Sequence, residues 1–450
     1  MRVVSSVGSD IVERCKKFSL FEWSTQSSAH PLPIVRASGV YLWDADGKRY
    51  LDFSSISQNV NIGHSDPRVA EAVAEQMKNL SFVSPSDATE VRGAVAEKLA
   101  SLVPPGLTKS FFTLGGSDAN EAALRIARLV TGRRKIVTRY RSYHGATLAA
   151  LTASGDPRRW AVEAGMGDIV RVPDPYRYRC SWCANRDACT NSCLDQVEEV
   201  IQLEGPHTIA AVMVEPITGS NGIIVPPEGW LRGLRNLCDR YGILLIADEV
   251  MSGFGRTGKW FAVDHEHISP DIMTVAKGIT SGYIPLGACI VSDAIAEHFD
   301  DNVLWAGLTC QSHPVGLAAA RANLQIYETD GLIENSARMG EVLLAGLEEL
   351  KERHPSVGDV RGRGLFSVIE LVRNRETRKP LFEFPGPANP AAARMKQLMS
   401  KRGLVTSMRG SFLFASPPLI INEEQLRWAL SVFDEALAIA DAEIISPEAT

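Results

Sequence analysis

Long apolar runs are missing from this chain of 450 residues, and nowhere do apolar side chains continue far enough to cross a bilayer. No membrane span is therefore expected. Met1 to Lys17 mixes charged and polar residues without an apolar stretch of signal-peptide length, so a soluble, cytoplasmic protein is the expectation. Basic charge is not in excess either: 47 Lys and Arg stand against 53 Asp and Glu, a formal net charge of -6. That balance argues against nucleic acid or an anionic membrane surface as a partner. Cysteine is sparse, eight residues in all, and without a secretory signal these read as mostly reduced thiols rather than a disulfide framework. No internal repeat or low-complexity tract stands out. What the chain does have is hydrophobic residues at 45% of its positions, enough for a large core in one big domain with a smaller one beside it.

The apolar periodicity divides the chain. Val40-Tyr41-Leu42-Trp43 before the Asp46-Gly47 turn reads as a small peripheral strand element. From Asp66 onward, helices and apolar strands alternate. Helical spacing marks Val69 to Leu80 and Ala88 to Leu102, and Phe111-Phe112-Thr113-Leu114 reads as a buried strand entering Gly115-Gly116 and a further helix to Leu129. Further strands are expected at Ile209 to Val214, Ile243 to Ala247 and Ile272 to Val275, with Trp230 to Asp239 among the helices between them. This is the pattern of a doubly wound α/β sheet, in which ligands sit beyond the carboxyl ends of the strands. After Tyr327 come two long amphipathic helices, Ile333 to Arg353 and Ala391 to Lys401, separated by a charged, proline-rich loop from Arg373 to Pro390. The expected division is thus an N-terminal segment over 1–65, a large domain over 66–326 and a small domain over 327–450.

Three strand ends carry residues suited to one chemistry. Gly115-Gly116-Ser117 permits a tight turn into a helix whose amides and dipole make an anion site, with Ser117 placed to cap it; an ordinary Ser-capped helix accounts for the same letters. Asp248 ends the strand Ile243 to Ala247, where a carboxylate could pair with a protonated ring nitrogen or simply cap a loop. Lys277 follows Ile272-Met273-Thr274-Val275 with no charge between, and a lysine there is costly unless paired or used covalently; a lysine snorkelling at a domain edge is the plainer account. Together, an anion cradle, an acid for a ring nitrogen and a desolvated amine are what pyridoxal chemistry requires.

On these residues the chain resembles the class III aminotransferases of the fold-type I pyridoxal-phosphate superfamily, from about Trp23 to Leu426. Gly116-Ser117 is similar to the family's phosphate loop, Tyr143-His144-Gly145 to its ring-stacking motif, and Val212 to Pro216 to its strand ending in an active-site glutamate, Glu215. Asp248 to Gly258 (DEVMSGFGRTG) resembles the pyridine-nitrogen segment, Thr274 to Gly287 the lysine segment, and Gly307-Leu308-Thr309 with His313-Pro314 the threonine that reaches a neighbouring subunit's phosphate. The resemblance implies a mostly parallel seven-stranded sheet between helices, a small α+β domain built from both termini, and pyridoxal 5′-phosphate as cofactor. It further implies that Lys277 holds the cofactor as a Schiff base and moves the proton, Asp248 keeps the ring nitrogen protonated, and Tyr143 and Val250 pack its two faces. His144 belongs to the same cofactor set. An amine donor and a 2-oxo acid would react in ping-pong order, and Thr309 from a second chain would make a homodimer necessary.

Ornithine and 4-aminobutyrate members of the family have a glutamate shortly after the Glu-Pro pair that holds aside an arginine. Ser220 stands at that position here, which points toward the ω-amino acid or amine:pyruvate branch, with Arg409 as the candidate arginine or else a surface-loop residue. Phe21 to Gln26 is similar to a segment of taurine:pyruvate-like aminotransferases, in which the tryptophan, here Trp23, borders the donor pocket; core packing is its other reading. Cys180, Cys183, Cys189 and Cys193 give C-x2-C-x5-C-x3-C, which could hold zinc through thiolates, though not at a standard spacing. The remaining alternatives are an aminomutase or decarboxylase on the same scaffold, a 2-oxoglutarate-dependent enzyme acting on a diamine or amino sugar, and a silent binding protein. Gly253 to Gly258 (GFGRTG) also matches a dinucleotide fingerprint, but lies several residues past its strand with no clear helix opening on it.

Overall fold

Every residue of Ile209–Val214 is buried, as expected of a strand covered on both faces, and this strand lies inside a seven-stranded sheet. The structure, a computed structural model, describes residues 7–161, 167–183 and 189–445. The sheet strands are β1 (Leu107–Thr113), β2 (Lys135–Arg139), β3 (Ile169–Val172), β4 (Ile209–Val214), β5 (Leu244–Asp248), β6 (Ile272–Val275) and β7 (Gly287–Ser292). Their spatial order is β1-β7-β6-β5-β4-β2-β3. Strands β3, β2, β4, β5 and β6 run parallel, while β7 is antiparallel to both β6 and β1. Side chains alternate between two apolar layers: Val137, Val212, Val214 and Leu245 join one, and Ile136, Ala211, Met213 and Ile246 the other.

Strands β2, β3 and β7 were not among the segments anticipated from sequence. Lys135–Arg139 is bounded by charges at both ends, and Gly287–Ser292 is built of small residues, so neither presents the long apolar run of β4. β1 also begins at Leu107 rather than Phe111, because the polar run Thr108-Lys109-Ser110 hides its start from an apolar-run reading. The helices fall close to the expected places, at Pro67–Asn79, Glu90–Leu102, Gly116–Thr131 (α1), Trp230–Tyr241, Leu332–Arg353 and Pro390–Arg402. Helix α1 stops at Gly132, whose φ of 65° is the left-handed cap that glycine adopts freely. A third long helix after Tyr327, Glu423–Ile445, was not anticipated; it buries Leu426, Ala429, Phe433, Ala436 and Ala440 at helical spacing. Among the described residues no helix is long and apolar enough to cross a membrane.

The two ends of the chain meet. Ile34–Ser38, Tyr41–Asp44 and Arg49–Asp52 form an antiparallel meander, and Leu404–Val405 adds to it in parallel beside Arg49–Asp52. A separate antiparallel sheet contains Val357–Arg363, Phe366–Leu371, Phe412–Ala415 and Met408–Arg409.

The GFGRTG run has a structural task. Arg256 is fully buried and donates to the carbonyls of Leu365 (3.0 Å) and Pro417 (2.6 Å), to Ser55 Oγ (3.0 Å) and to Asn61 Oδ1 (2.5 Å). One guanidinium thus ties the large sheet's loop to segments from both ends of the chain. Burial pulls its pKa down to about 10. The Ser55 it touches opens a left-handed turn: Ser55, Ile56, Ser57 and Gln58 all have φ between 42° and 62°. That conformation is strained for a β-branched residue such as Ile56 and persists only where surrounding bonds fix it. Ser55 Oγ donates in turn to the Ser416 carbonyl at 2.7 Å.

Replacing Arg256 with methionine leaves the Leu365 and Pro417 carbonyls buried without their donor, and each such group costs about 1–3 kcal/mol. Arg256→Met is expected to lose roughly 3 kcal/mol or more of stability, measured by urea unfolding of the purified protein. An unchanged midpoint would show that the joint does not hold the chain ends.

Candidate active site

Parallel strands put their carboxyl ends on one edge of the sheet, and the chemistry gathers there. Asp248 is the last residue of β5 and only 3% exposed. Its Oδ2 accepts from Asn120 Nδ2 at 2.8 Å and from His144 Nδ1 at 2.7 Å, and its Oδ1 accepts from the Val250 amide at 3.0 Å. Asn120 stands on α1, donates also to the His144 carbonyl at 2.6 Å, and accepts from Thr274 Oγ1 of β6 at 2.6 Å. The carboxylate is thereby fixed from a helix, a loop and a neighbouring strand. The other ring nitrogen of His144 is buried and has no hydrogen-bond partner among the described residues.

Lys277 follows β6 with φ of 37°, a left-handed conformation rare for lysine and of the kind that clusters at functional sites. Burial pushes its amine down to about 8, while Glu215 and Asp248 pull the other way and Arg158 adds to the lowering. Glu215, just past β4, accepts the Tyr143 amide at 3.0 Å and the Gly219 amide at 2.7 Å. Burial raises its pKa, opposed by His144 and by those amides.

These groups surround a cavity of about 340 Å³. Gly116, Ser117, Tyr143 and His144 line it from α1 and the loop after β2; Glu215, Asp248, Val250 and Lys277 line it from the strand ends. A Cβ on Gly116 would sit 2.8 Å from Val250 Cγ1, so only glycine keeps that wall. Ser117 does not cap α1 as its sequence position suggested. Gly115 is the cap residue and offers no side chain, while Ser117 Oγ accepts the Ala146 amide at 3.0 Å. The leading N–H groups of α1 are thus left without a side-chain partner beside the cavity, the arrangement that attracts an anion.

Trp23 is 59% exposed, which rules out core packing, and its ring meets Tyr143 edge-on at 6.3 Å between centroids. Thr309 is exposed in a turn and is not among the cavity-lining residues of its own chain. Arg409 is no surface-loop residue: it lies on the short strand Met408–Arg409 and donates to the Ser220 carbonyl at 3.1 Å and to Asp156 Oδ2 at 2.6 Å. Arg158 shares Asp156, bonding Oδ1 at 2.9 Å and Oδ2 at 3.1 Å, and places its guanidinium carbon 3.5 Å over the Tyr143 ring. Although fully buried, Asp156 is held below the usual carboxylate range by these two arginines, against the upward push of its burial.

Asn120, Asp156 and Arg158 were not anticipated from sequence. Asn120 stands four residues after Gly116, on the same helix face, a spacing that could have marked it. Asp156-Pro157-Arg158 carries no spacing that announces a site. In the cysteine cluster, Cys180, Cys183 and Cys193 are buried and Cys189 half-buried, with Cys183 Sγ 3.9 Å from Cys189 Sγ. Among the described residues no three His, Cys, Asp or Glu side chains are arranged to hold a metal ion.

A model of the family described as aminotransferase class-III matches residues 23–437. The taurine–pyruvate aminotransferase of Rhodobacter capsulatus is 37% identical over 431 residues, covering 91% of this chain and 92% of that protein. Among solved structures, the taurine:2-oxoglutarate aminotransferase of Bifidobacterium kashiwanohense, in complex with PLP and glutamate, is 39% identical with a TM-score of 0.93, covering 97% of this chain and 98% of that one. An (S)-enantioselective omega-transaminase from Thermomicrobium roseum is 36% identical with a TM-score of 0.88, covering 97% and 99%.

Only a neutral amine attacks a carbonyl. With the Lys277 amine near pH 8 rather than 10.5, the rate at which the cofactor-stripped protein takes up an aldehyde at this residue should rise through neutral pH and level off above about pH 8. The visible absorbance gained on mixing reports it. A rate still climbing steeply above pH 10 would contradict the desolvated environment described for the amine.

Proposed function

The chain belongs to the class III aminotransferases, and from that premise we propose that it takes the amino group of a terminal primary amine or ω-amino acid and passes it to a 2-oxo acid, pyruvate foremost. Its cofactor is pyridoxal 5′-phosphate, and the residues present fit that group. Asp248, fixed by three donors, offers a carboxylate to a ring nitrogen; the uncapped start of α1 offers amides to a phosphate; and Gly116 keeps the wall open. When bound, the cofactor supplies an aldehyde for amines and a ring that accepts electrons from the substrate carbon.

The chain's own residues do the rest. Lys277 Nζ would hold the cofactor by its aldehyde group and, as a free amine, would take up and return the proton of the substrate carbon. Asp248 would offer its carboxylate to the protonated ring nitrogen, and His144 and Asn120 fix that carboxylate's orientation. Gly116 and Ser117 receive the phosphate. Tyr143 and Val250 would pack against the ring, and Glu215, through the Tyr143 amide, sets where that tyrosine stands. Trp23, exposed beside Tyr143, borders the donor's entry. Arg409, next to the uncharged Ser220, takes the carboxylate of the 2-oxo acid.

The observation that carries this reading is the presence of Lys277 and Asp248 in one cavity of a class III aminotransferase chain. The ω-amine donor is supported by the names of the Rhodobacter and Bifidobacterium relatives, whose donor bears its amine at one end and an acid at the other. The acceptor named for the Bifidobacterium protein is 2-oxoglutarate, so both acceptors belong in the test. We further propose that the enzyme is a cytoplasmic homodimer. Val303, Trp305 and Thr309 lie exposed in one segment, and a second copy covering it would carry Thr309 to the partner's phosphate site. Residues 1–65 and 327–450 make the small domain and 66–326 the large one, a division supported by the sheet shared between both ends of the chain.

With taurine or β-alanine as donor, pyruvate should be converted to alanine and, in a separate vessel, 2-oxoglutarate to glutamate more slowly, both measured by chromatography. Lys277→Ala is expected to lose roughly a thousandfold or more of turnover. A donor that isomerises or releases carbon dioxide while no alanine appears would sink the reading in favour of an aminomutase or decarboxylase.

Mixing tests the shared site. Lys277→Ala and Thr309→Ala chains, each weakly active alone, should regain activity when refolded or co-expressed together, because one of the two hybrid sites then has both residues. If co-assembled hybrids stay as weak as the separate variants, Thr309 does not serve its partner.

A further inference from the structure

The cysteine cluster has no part in the chemistry at Lys277, yet its thiols are not equivalent. Cys183 and Cys189 lie outside any helix or strand, with their sulfurs 3.9 Å apart and both thiols free. Neither lines the cofactor cavity. Cys183 Sγ has Thr190 Oγ1 at 3.8 Å and also accepts the Thr190 amide. That amide, chiefly, favours the thiolate and holds the Cys183 thiol below its ordinary range, against the upward push of burial. Cys189 keeps its proton instead. Its thiol donates to Asn191 Oδ1 at 3.7 Å, and burial holds it above the ordinary range. One sulfur is therefore prepared to attack, and a protonated neighbour stands ready to follow.

The other two cysteines of the cluster differ. Cys193 is buried on the helix Ser192–Glu204, where burial raises its thiol to about 12 and leaves it inert. Cys180 is buried too, and its sulfur accepts the Trp182 amide at 3.4 Å. A small reagent has a way in to the facing pair, because Cys189 is half-buried and Trp182, next to Cys183, is 43% exposed.

We propose that Cys183 and Cys189 are a reversible redox pair, a modification site separate from the cofactor cavity, which closes to an intramolecular disulfide when a peroxide reaches it. In the first step the Cys183 thiolate attacks one peroxide oxygen; an S–O bond forms, the O–O bond breaks, and the departing hydroxide is protonated to water. Cys189 then attacks the Cys183 sulfur. An S–S bond replaces the S–O bond, and the second oxygen leaves as hydroxide and takes up the Cys189 proton. Each sulfur gives up one electron, and the two electrons reduce hydrogen peroxide to two waters. The sulfurs must close from 3.9 Å to about 2.05 Å, a shift that breaks no helix or strand because both residues lie in loop. A small dithiol reverses the step by exchange and leaves as its own disulfide.

The test uses the holoenzyme, fully reduced and then freed of reductant, treated with a slight excess of hydrogen peroxide. Mass spectrometry of the whole chain should show a loss of about 2 Da, the two hydrogens given up when a disulfide closes, and dithiothreitol should restore the mass. Peptide mapping without reductant should join the Cys183 peptide to the Cys189 peptide. Cys183→Ser should show no such loss. Cys189→Ser should stop one step earlier, with a gain of about 16 Da at Cys183 that dimedone traps as a sulfenic acid. The parent enzyme alone decides the matter if either variant fails to fold. An unchanged mass in a large excess of peroxide, a disulfide mapped to Cys180 or Cys193, or a sulfinic acid at Cys183 in the parent would each overturn the proposal. So would about one equivalent of zinc per chain in the purified protein, with thiols that resist peroxide until a chelator strips the metal, since the cluster would then be a thiolate metal site.

Discussion

A lysine amine held out of water is the constraint that the rest of the site answers to. Lys277 is largely withdrawn from water at the end of an inner strand, where solvation supports its charge poorly, and burial brings its pKa down to about 8. Two buried carboxylates, Glu215 and Asp248, stand close enough to limit that fall. Without them the amine would be neutral but poorly placed to accept and release a proton; with a closer pair it would be locked as an ammonium ion. The strained backbone at the same residue shows that the fold imposes this position rather than merely permitting it.

The carboxylate that matters most for cofactor chemistry is fixed by a short chain of bonds across the sheet. Thr274 on β6 donates to Asn120 on α1, and Asn120 and His144 both donate to Asp248 on β5. Each donor is buried, so the network is screened little by water and the carboxylate has few alternative orientations. Arg256 plays a comparable part at larger scale. Its four hydrogen bonds join the loop after β5 to segments from both ends of the chain, including the left-handed turn that leads to Asn59 on the cavity wall. The run that looks like a dinucleotide loop is the joint that holds these pieces together.

Electrostatics at the mouth follows a different rule. The cofactor side is balanced by buried carboxylates, whereas the substrate side carries two arginines on one aspartate. Such an arrangement is stable enough to stand alone, because Asp156 satisfies both guanidiniums in part. It is also open to exchange, because neither guanidinium has its full set of acceptors from that one carboxylate.

Sequence by itself determined the parallel sheet and the identity of the central groups. The largely apolar β4, β5 and β6 carry their own signal, and Glu215, Asp248 and Lys277 stand at or just past their ends, so strand ends and chemistry are read together. Strands β2 and β7, with charged borders or small side chains, have no such signal and owe their pairing to neighbours already in place. Only the tertiary structure decided that Ser117 serves the following loop instead of capping α1, that Trp23 stands exposed at the mouth, and that Asp156 joins Arg158 to Arg409 across 251 and more positions of chain. The physical reason is that burial, and with it the cost of an unpaired charge, is a property of the folded surroundings. A local stretch of sequence specifies which groups are present, but not which of them will share a dry space.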